Sequence, residues 1–258
     1  MNEEQTKNQI KLNKIIESLQ KYNLAINEEG MLIKMIQKPK TFQEFNDTYP
    51  QILRLITKYI KVQLFLKYNM TKYKILLPNK EYIYCSNNLV IPNLIIQTKL
   101  LIILNDPNNP LGVFSKPKLI FENIPSGSVF PVLDLAINKN YSVIIPYIYK
   151  KDKIDYNIDA ILGNFWKVFI QIRLKYISEI IIISQKTASI NLIKLLEKYP
   201  SDFIEKTKKI ILINSKHFDM HQILDKDIKE LFRQKATNYT LATDPVGTQL
   251  YSSIISPW

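Results

Sequence analysis

The chain has 258 residues, is 46% hydrophobic and carries a formal net charge of +12. That length suits one α/β domain with a sizeable core, and the composition is too apolar for a disordered chain. A single cysteine, Cys85, excludes an internal disulfide framework and suits a reducing compartment. The opening MNEEQTKNQ fits neither a secretory signal nor an organellar transit peptide. The apolar stretch 89–104 is broken by Pro92, Asn93, Gln97, Thr98 and Lys99, short of a membrane span. A soluble protein of the cytoplasm or nucleus is expected, with no membrane contact. The basic charge raises nucleic acid as a partner class. Its lysines are dispersed, however, and the densest groups, Lys150-Lys151-Asp152-Lys153 and 206–209, lack any RNP-like aromatic motif, zinc-finger spacing or basic helix. Solvated surface lysine is the simpler reading.

Residues 4–21 place Ile10, Leu12, Ile15, Ile16 and Leu19 on one side of an amphipathic helix. In 24–36, Asn27-Glu28-Glu29-Gly30 predicts a hairpin turn between short strands. Asp47-Thr48-Tyr49-Pro50 predicts a helix start, capped by Asp with Pro in the first turn and running to Tyr68. A strand over 73–77 follows, with 82–85 paired to it. The apolar run 100–104 ends in the turn formers Asn105-Asp106-Pro107-Asn108-Asn109-Pro110. The pattern then alternates: a loop at 124–127, a helix over 129–138 and a strand over 141–148. A helix over 164–176 is expected to bury Phe165, Trp166, Phe169, Ile172 and Leu174. Strand 180–183, helix 189–199, strand 210–213, helix 221–232 and a last strand at 239–242 complete the series. Strands separated by helices of this length imply βαβ units with helices on both faces of a mostly parallel sheet. With no internal repeat or glycine-rich linker, residues 1–258 are expected to be one domain: an N-terminal helix over 1–22 and a core over 23–258.

The stretch 178–199, SEIIIISQKTASINLIKLLEKY, organises the rest. A β-branched run leads through a short turn into a helix whose Ile190, Ile193 and Leu196 fall at helical spacing, with Leu192 and Leu195 widening the stripe. In an α/β-hydrolase this strand-to-helix turn is the G-x-S-x-G elbow that carries the nucleophile. Aligned on the strand end, Ile183-Ser184-Gln185-Lys186-Thr187 takes that place, with Gln185 at the nucleophile position and neither glycine present. Asp244 has the position of an acid, but no histidine follows His221, so the base is missing as well. Ligands of open α/β sheets bind beyond the carboxyl ends of the strands, here the loops 105–110, 184–187, 214–219 and 243–248. His217 and His221, with Asp219 between them, have a zinc-like i, i+4 spacing. His217 falls in a loop and no third ligand is evident, so capping or packing is expected and neither metal nor cofactor is. Cys85 lies beside a strand with no basic neighbour in sequence and is expected to be an inert buried thiol.

Several segments resemble those of one family. These are 22–32 (YNLAINEEGML), 100–104, 123–146, Ile213-Asn214-Ser215-Lys216-His217-Phe218-Asp219-Met220-His221, and Thr243-Asp244-Pro245-Val246-Gly247-Thr248. Their order and spacing, over about 19–249, are similar to the Argonaute-binding-protein-two (Arb-two) domain. That α/β-hydrolase-like family occurs in an Argonaute chaperone subunit, at the C-terminus of certain class II histone deacetylases and in related animal nuclear proteins. The family's His-Ser-x-Gly-Gly elbow is replaced here by Ser184-Gln185-Lys186-Thr187-Ala188, and its last strand and histidine loop by 250–258 alone. The resemblance implies an α/β-hydrolase-like fold and protein partners in a multi-subunit silencing or chromatin complex. The departures fall on the residues that would catalyse.

The expectation is a catalytically inactive α/β-hydrolase-like protein-binding or scaffold module. Its vestigial elbow and pocket comprise Ser184, Gln185, Lys186, Thr187, Asn214, Ser215, His217, His221 and Asp244. Two alternatives stand beside it. One is a structural subunit of a large assembly, such as a ciliary or cytoskeletal complex, suggested by Tyr147 and Tyr149. The other is a nucleic-acid-binding subunit, resting on charge alone.

Overall fold

The computed structural model describes residues 3–22, 24–27, 32–34, 42–74, 82–86, 98–147, 158–215 and 220–240. A strand that is apolar at every position is stable only where both of its faces are covered. The strands β5 (Thr98–Leu104), β7 (Ile177–Gln185) and β8 (Thr207–Ile213) meet that condition. Leu100, Ile102, Leu104, Ile180, Ile182, Ile210 and Leu212 point into one core, while Leu101, Ile103 and Ile183 point into the other. A register shift between Ile180 and Ile181 in the β7–β8 pairing, and a second between Thr98 and Lys99, mark bulges. The extra residue explains how Ile177 and Ile180, three apart, both reach the same core.

The remaining strands are β3 (Met70–Lys74), β4 (Tyr82–Ser86), β6 (Tyr141–Tyr147) and β9 (Ala236–Tyr239). They give a seven-stranded sheet of order β3-β4-β6-β5-β7-β8-β9. β3, β4 and β6 pair antiparallel in succession, and all pairings from β6 through β5 to β9 are parallel. Outside it, β1 (Leu24–Ile26) and β2 (Leu32–Lys34) form the expected hairpin, with Ile26 opposite Leu32. The turn expected between them lies largely outside the described residues.

Helices divide between the faces. α1 (Glu3–Gln20), α2 (Phe42–Leu66), α3 (Lys116–Phe121), α4 (Ile124–Gly127) and α5 (Phe130–Asn138) enclose the core that holds Leu101 and Val143. α6 (Ile158–Phe165), α7 (Ala188–Lys198), α8 (Pro200–Ile204) and α9 (Lys226–Lys235) enclose the core that holds Ile182 and Trp166. Crossovers of one hand require this partition. The β5-to-β6 connection travels one way along the sheet over the first face. The connections from β6 to β7, β8 and β9 travel the other way over the second. Among the described residues no helix is long and apolar enough to cross a membrane.

Several sequence expectations need correcting. α2 begins at Phe42 and carries Pro50 inside it, not in its first turn. Proline cannot donate to the carbonyl four residues back, which reads as a start signal, yet the helix absorbs the lost bond. Residues 124–127, expected as loop, form a helical turn: Asn123 caps it by accepting from Ser126 N at 2.8 Å, and Pro125 sits in its first turn. The helix expected over 164–176 is α6 followed by a π-helical turn, Trp166–Ile170, and a 3-10 segment, Gln171–Tyr176. The change of winding buries both Trp166 and Ile170 and turns Ile172 outward, 62% exposed. Trp166 stacks on Phe203 with ring centroids 4.1 Å apart and donates to Asp202 Oδ2 at 2.7 Å. The helix expected from His221 begins at Lys226, because Asp225 accepts from Asp227 N and Ile228 N at 2.9 and 3.0 Å; a short 3-10 turn, Met220–Gln222, precedes it. β3 and β9 each begin three residues before their expected starts, at Met70 and Ala236.

At the amino edge of the sheet, Glu179 on β7 gathers three donors. The Tyr141 hydroxyl donates to its Oε1, and Lys208 and Lys99 lie at 3.1 and 3.7 Å. The Tyr141 hydrogen bond, opposed by burial and reinforced by Lys208 and Lys99, holds the Glu179 carboxyl below its usual range. Burial, with the bond to Glu179 next, pushes the Tyr141 phenol up to about 12. A depressed carboxyl contributes stability that is present above the unfolded-state pKa, about 4.3, and lost as pH falls through the folded value. Glu179→Gln is therefore expected to lower the urea midpoint at pH 7, with the gap to wild type closing below about pH 4. A gap unchanged at low pH would contradict this.

Candidate functional site

Order in the sheet reverses at β5, with β6 on one side and β7 on the other. Ligands of open α/β sheets enter at such a switch point, beyond the carboxyl ends of the strands. Leu104 pairs with Ser184, so the loop after β5 lies against the turn after β7. Four non-glycine residues adopt left-handed backbone among the described residues: Asn69, Asn140, Asn214 and Lys186. Asparagine tolerates that region and lysine does not. Lys186, at φ +50°, is thus the strained residue of the turn, and its N–H donates to Ile213 O at 2.9 Å.

This moves the elbow one residue along from the sequence alignment. With Lys186 at the apex, the positions two before and two after it are Ser184 and Ala188, both small and both buried. Gln185 is the last residue of β7 and is buried at 2% exposure, below the apex rather than on it. Its Nε2 donates to the Phe114 carbonyl and its Oε1 accepts from Asn109 Nδ2 at 3.5 Å, while the same Asn109 Nδ2 lies 3.4 Å from the Phe114 carbonyl. Asp106, 3% exposed, accepts from Thr187 Oγ1, Asn108 N and Asn108 Nδ2, each at 3.1 Å, and faces the Lys186 ammonium at 3.6 Å. The groups that line the switch point therefore bond to one another. The sequence places 105–110 among the loops at the carboxyl ends of the strands but accounts for it by turn composition; the contacts of Asp106 and Asn109 are the part that reading misses.

Below the turn, the hydroxyls of Ser184, Ser189 and Ser215 form a buried chain. Ser189 Oγ lies 2.5 Å from Ser215 Oγ and donates to Ser184 Oγ at 3.4 Å. Ser215 N donates to Asn238 Oδ1 at 3.4 Å and Asn214 N to Tyr239 O at 2.7 Å, tying the end of β8 to β9. The structure thus brings together Ser184, Gln185, Lys186, Thr187, Asn214 and Ser215. His221 is exposed on the 3-10 turn after β8. His217, Asp219, Asp244 and Tyr149 lie outside the described residues, as does the side chain of Tyr147. Among the described residues no cluster of three metal-ligating side chains occurs. Cys85 is fully buried, and burial pushes its thiol up to about 12. Arg173, remote in sequence, is a basic neighbour after all, but its pull downward is the smaller effect.

Gly127 positions this site from behind. Its carbonyl accepts from Phe114 N and Ser115 N at 2.9 and 3.0 Å, and a Cβ on it would meet Leu119 N at 2.5 Å. Gly127→Ala is expected to cost about 1–3 kcal/mol in chemical denaturation, since backbone must move. At the turn itself, Lys186→Val, β-branched where φ is positive, is expected to cost about 1–2 kcal/mol more than Lys186→Gly, since both lose the Asp106 pair and only Val is strained. Equal effects of Val and Gly there would contradict a strained apex.

The fold is α/β-hydrolase-like. No family profile and no curated protein matches the chain. Among solved structures it is similar to a histone deacetylase from Saccharomyces cerevisiae, at a TM-score of 0.50 and 16% identity over 74% of this chain and 80% of that one. It is also similar to the esterase E25, at 0.37 and 12% identity over 77% and 57%. A third is an α/β-hydrolase enzyme from the sediment metagenome of the Mar Chica lagoon, Morocco, at 0.33 and 11% identity over 63% and 57%.

Proposed function

We propose that the chain is a non-catalytic α/β-hydrolase-like module that binds proteins within a multi-subunit complex. One observation carries this: the strained apex, where the fold places a nucleophile on its elbow, is occupied by Lys186, paired to the buried Asp106. Lysine supplies neither the hydroxyl nor the thiol that attacks an ester carbonyl from this elbow. Gln185, buried below it and bonded to Asn109 and to the Phe114 carbonyl, fills the space beside that apex with protein. The nearby serines are covered and bonded to each other. The sequence resemblance to the Arb-two domain adds a setting, in small-RNA silencing or chromatin complexes, and the fold shared with a yeast histone deacetylase chain is in keeping with it.

Purified protein is expected to leave p-nitrophenyl acetate and butyrate hydrolysing at the buffer rate. Turnover that Lys186→Ala or Thr187→Ala abolishes would overturn the proposal. Affinity purification from the native source, followed by mass spectrometry, is expected to recover a stable set of silencing or chromatin subunits. A chain that elutes monodisperse and alone from native extract would equally defeat it.

A further inference from the structure

Lysines that lie scattered along the sequence meet at the amino end of the sheet. Lys99 is in the first turn of chain of β5, Lys139 closes α5 before β6, and Lys175 lies two residues before β7. Lys206 and Lys208 flank the first residue of β8, and Lys235 is the last residue of α9 before β9. Strand register sets these entries side by side. Lys99 pairs with Tyr141 on β6 and with Glu179 on β7, Ile180 pairs with Thr207, and Ile210 pairs with Ala236. Since β6, β5, β7, β8 and β9 are consecutive in the sheet, the row covers four interstrand steps, ~19 Å. Lys99, Lys139, Lys175 and Lys208 are exposed, and Lys206 and Lys235 are half-buried.

Their contacts leave positive charge in excess. Glu179 faces both Lys99 and Lys208, at 3.7 and 3.1 Å. Lys206 donates to the neutral Ile177 carbonyl at 2.7 Å, and Lys175 lies over the Tyr176 ring, 4.8 Å from its centroid. In the entering segments 98–100, 139–142, 175–180, 205–208 and 235–237, six lysines stand against two acids, Glu179 and Glu205. A cation at a helix C-terminus offsets the helix dipole, and that accounts for Lys139, Lys175 and Lys235. Strands carry no comparable dipole, so Lys99, Lys206 and Lys208 need another reason. Pairing with Glu179 calls for one lysine, not two.

We propose that this amino edge is a sequence-independent binding surface for the phosphate backbone of a nucleic-acid duplex. It lies at the end of the sheet opposite Lys186 and goes beyond the protein-binding reading, standing whether or not that reading holds. Charge density selects the partner. A duplex carries one phosphate per ~1.7 Å of axis, so ~11 fall within the row and about half of them face the protein, a match for the six lysines. An extended acidic peptide offers one same-side carboxylate per ~6.8 Å, about three over the same length. A single strand is held largely by bases stacked on aromatic faces. Here the Tyr141 and Tyr176 rings lie under Lys99 and Lys175 instead.

The test titrates the full chain by fluorescence anisotropy with a fluorescein-labelled eighteen-base-pair duplex, made as DNA and as RNA, from about 50 to 200 mM salt. A single strand of the same sequence and a poly-glutamate peptide run beside it. Duplex is expected to bind more tightly than either, with a log–log salt slope of about −4 to −5; the tighter of the DNA and RNA arms identifies the duplex. Lys139→Gln/Lys175→Gln, both exposed and outside the Glu179 cluster, is expected to make the slope shallower by ~1.8 and to weaken binding at least about tenfold at 100 mM salt. Lys116→Gln, at the other end of the sheet, leaves both unchanged. Glu179→Gln separates binding from folding: its urea midpoint falls, yet removing a carboxylate from the row tightens the duplex. Absent duplex binding, a slope near zero, or equal binding of the single strand or of poly-glutamate would each overturn the proposal. So would a folded double variant with an unchanged slope, or a Glu179→Gln chain that binds more weakly.

Discussion

The side-chain amide of Gln185 joins the end of β7 to the loop after β5, and the arrangement of the whole carboxyl edge follows from that junction. A buried amide with free donors and acceptors would cost about 1–3 kcal/mol for each unmet group. Bonding to Asn109 and to the Phe114 carbonyl removes that cost and holds the chain from Asp106 to Phe114 against the elbow. The backbone of that loop is secured in turn by Gly127, which accepts from Phe114 N. Asp106 completes the closure, since its carboxylate accepts from Thr187 and Asn108 and faces Lys186. Among the described residues, the groups bordering the topological switch point bond to one another.

The two edges of the sheet use polar groups in opposite ways. At the amino edge, Glu179 draws Tyr141, Lys99 and Lys208 into an ionic cluster that knits four strands together. At the carboxyl edge, amides and hydroxyls do much of the joining, and an ion pair, Lys186 with Asp106, sits at the strained apex. Between the edges lie two apolar layers whose branched side chains alternate residue by residue along β5, β7 and β8. Polar bonding therefore fixes how the loops meet, and apolar burial fixes that the sheet exists.

Much of the fold was legible because it rests on local chemistry. Runs such as 100–104 and 210–213 are apolar at every position, and only a strand covered on both faces uses such a run. The stripe in 189–199 marks α7 within a residue at each end. Where the reading failed, tertiary packing overrode a local signal. Pro50 looked like a helix start, yet α2 runs through it. Ile172 looked buried on an ideal helical wheel, but the π-helical turn at Trp166–Ile170 changes the phase and sends it outward. The elbow was displaced by one residue, because sequence spacing shows where a strand ends but not which residue takes a positive φ.

Sequence by itself determined the class of architecture, the succession of strands and helices, and the presence of a strand-to-helix turn carrying no serine or cysteine at its centre. These follow from periodicity and residue chemistry, which operate over a few neighbours. Tertiary structure alone decided that Lys186 and not Gln185 takes the positive φ at the apex, that Asp106 faces Lys186, and that Asn109 bonds Gln185. Each of those depends on residues from separate strands and helices arriving at one place, and no local pattern encodes such a meeting.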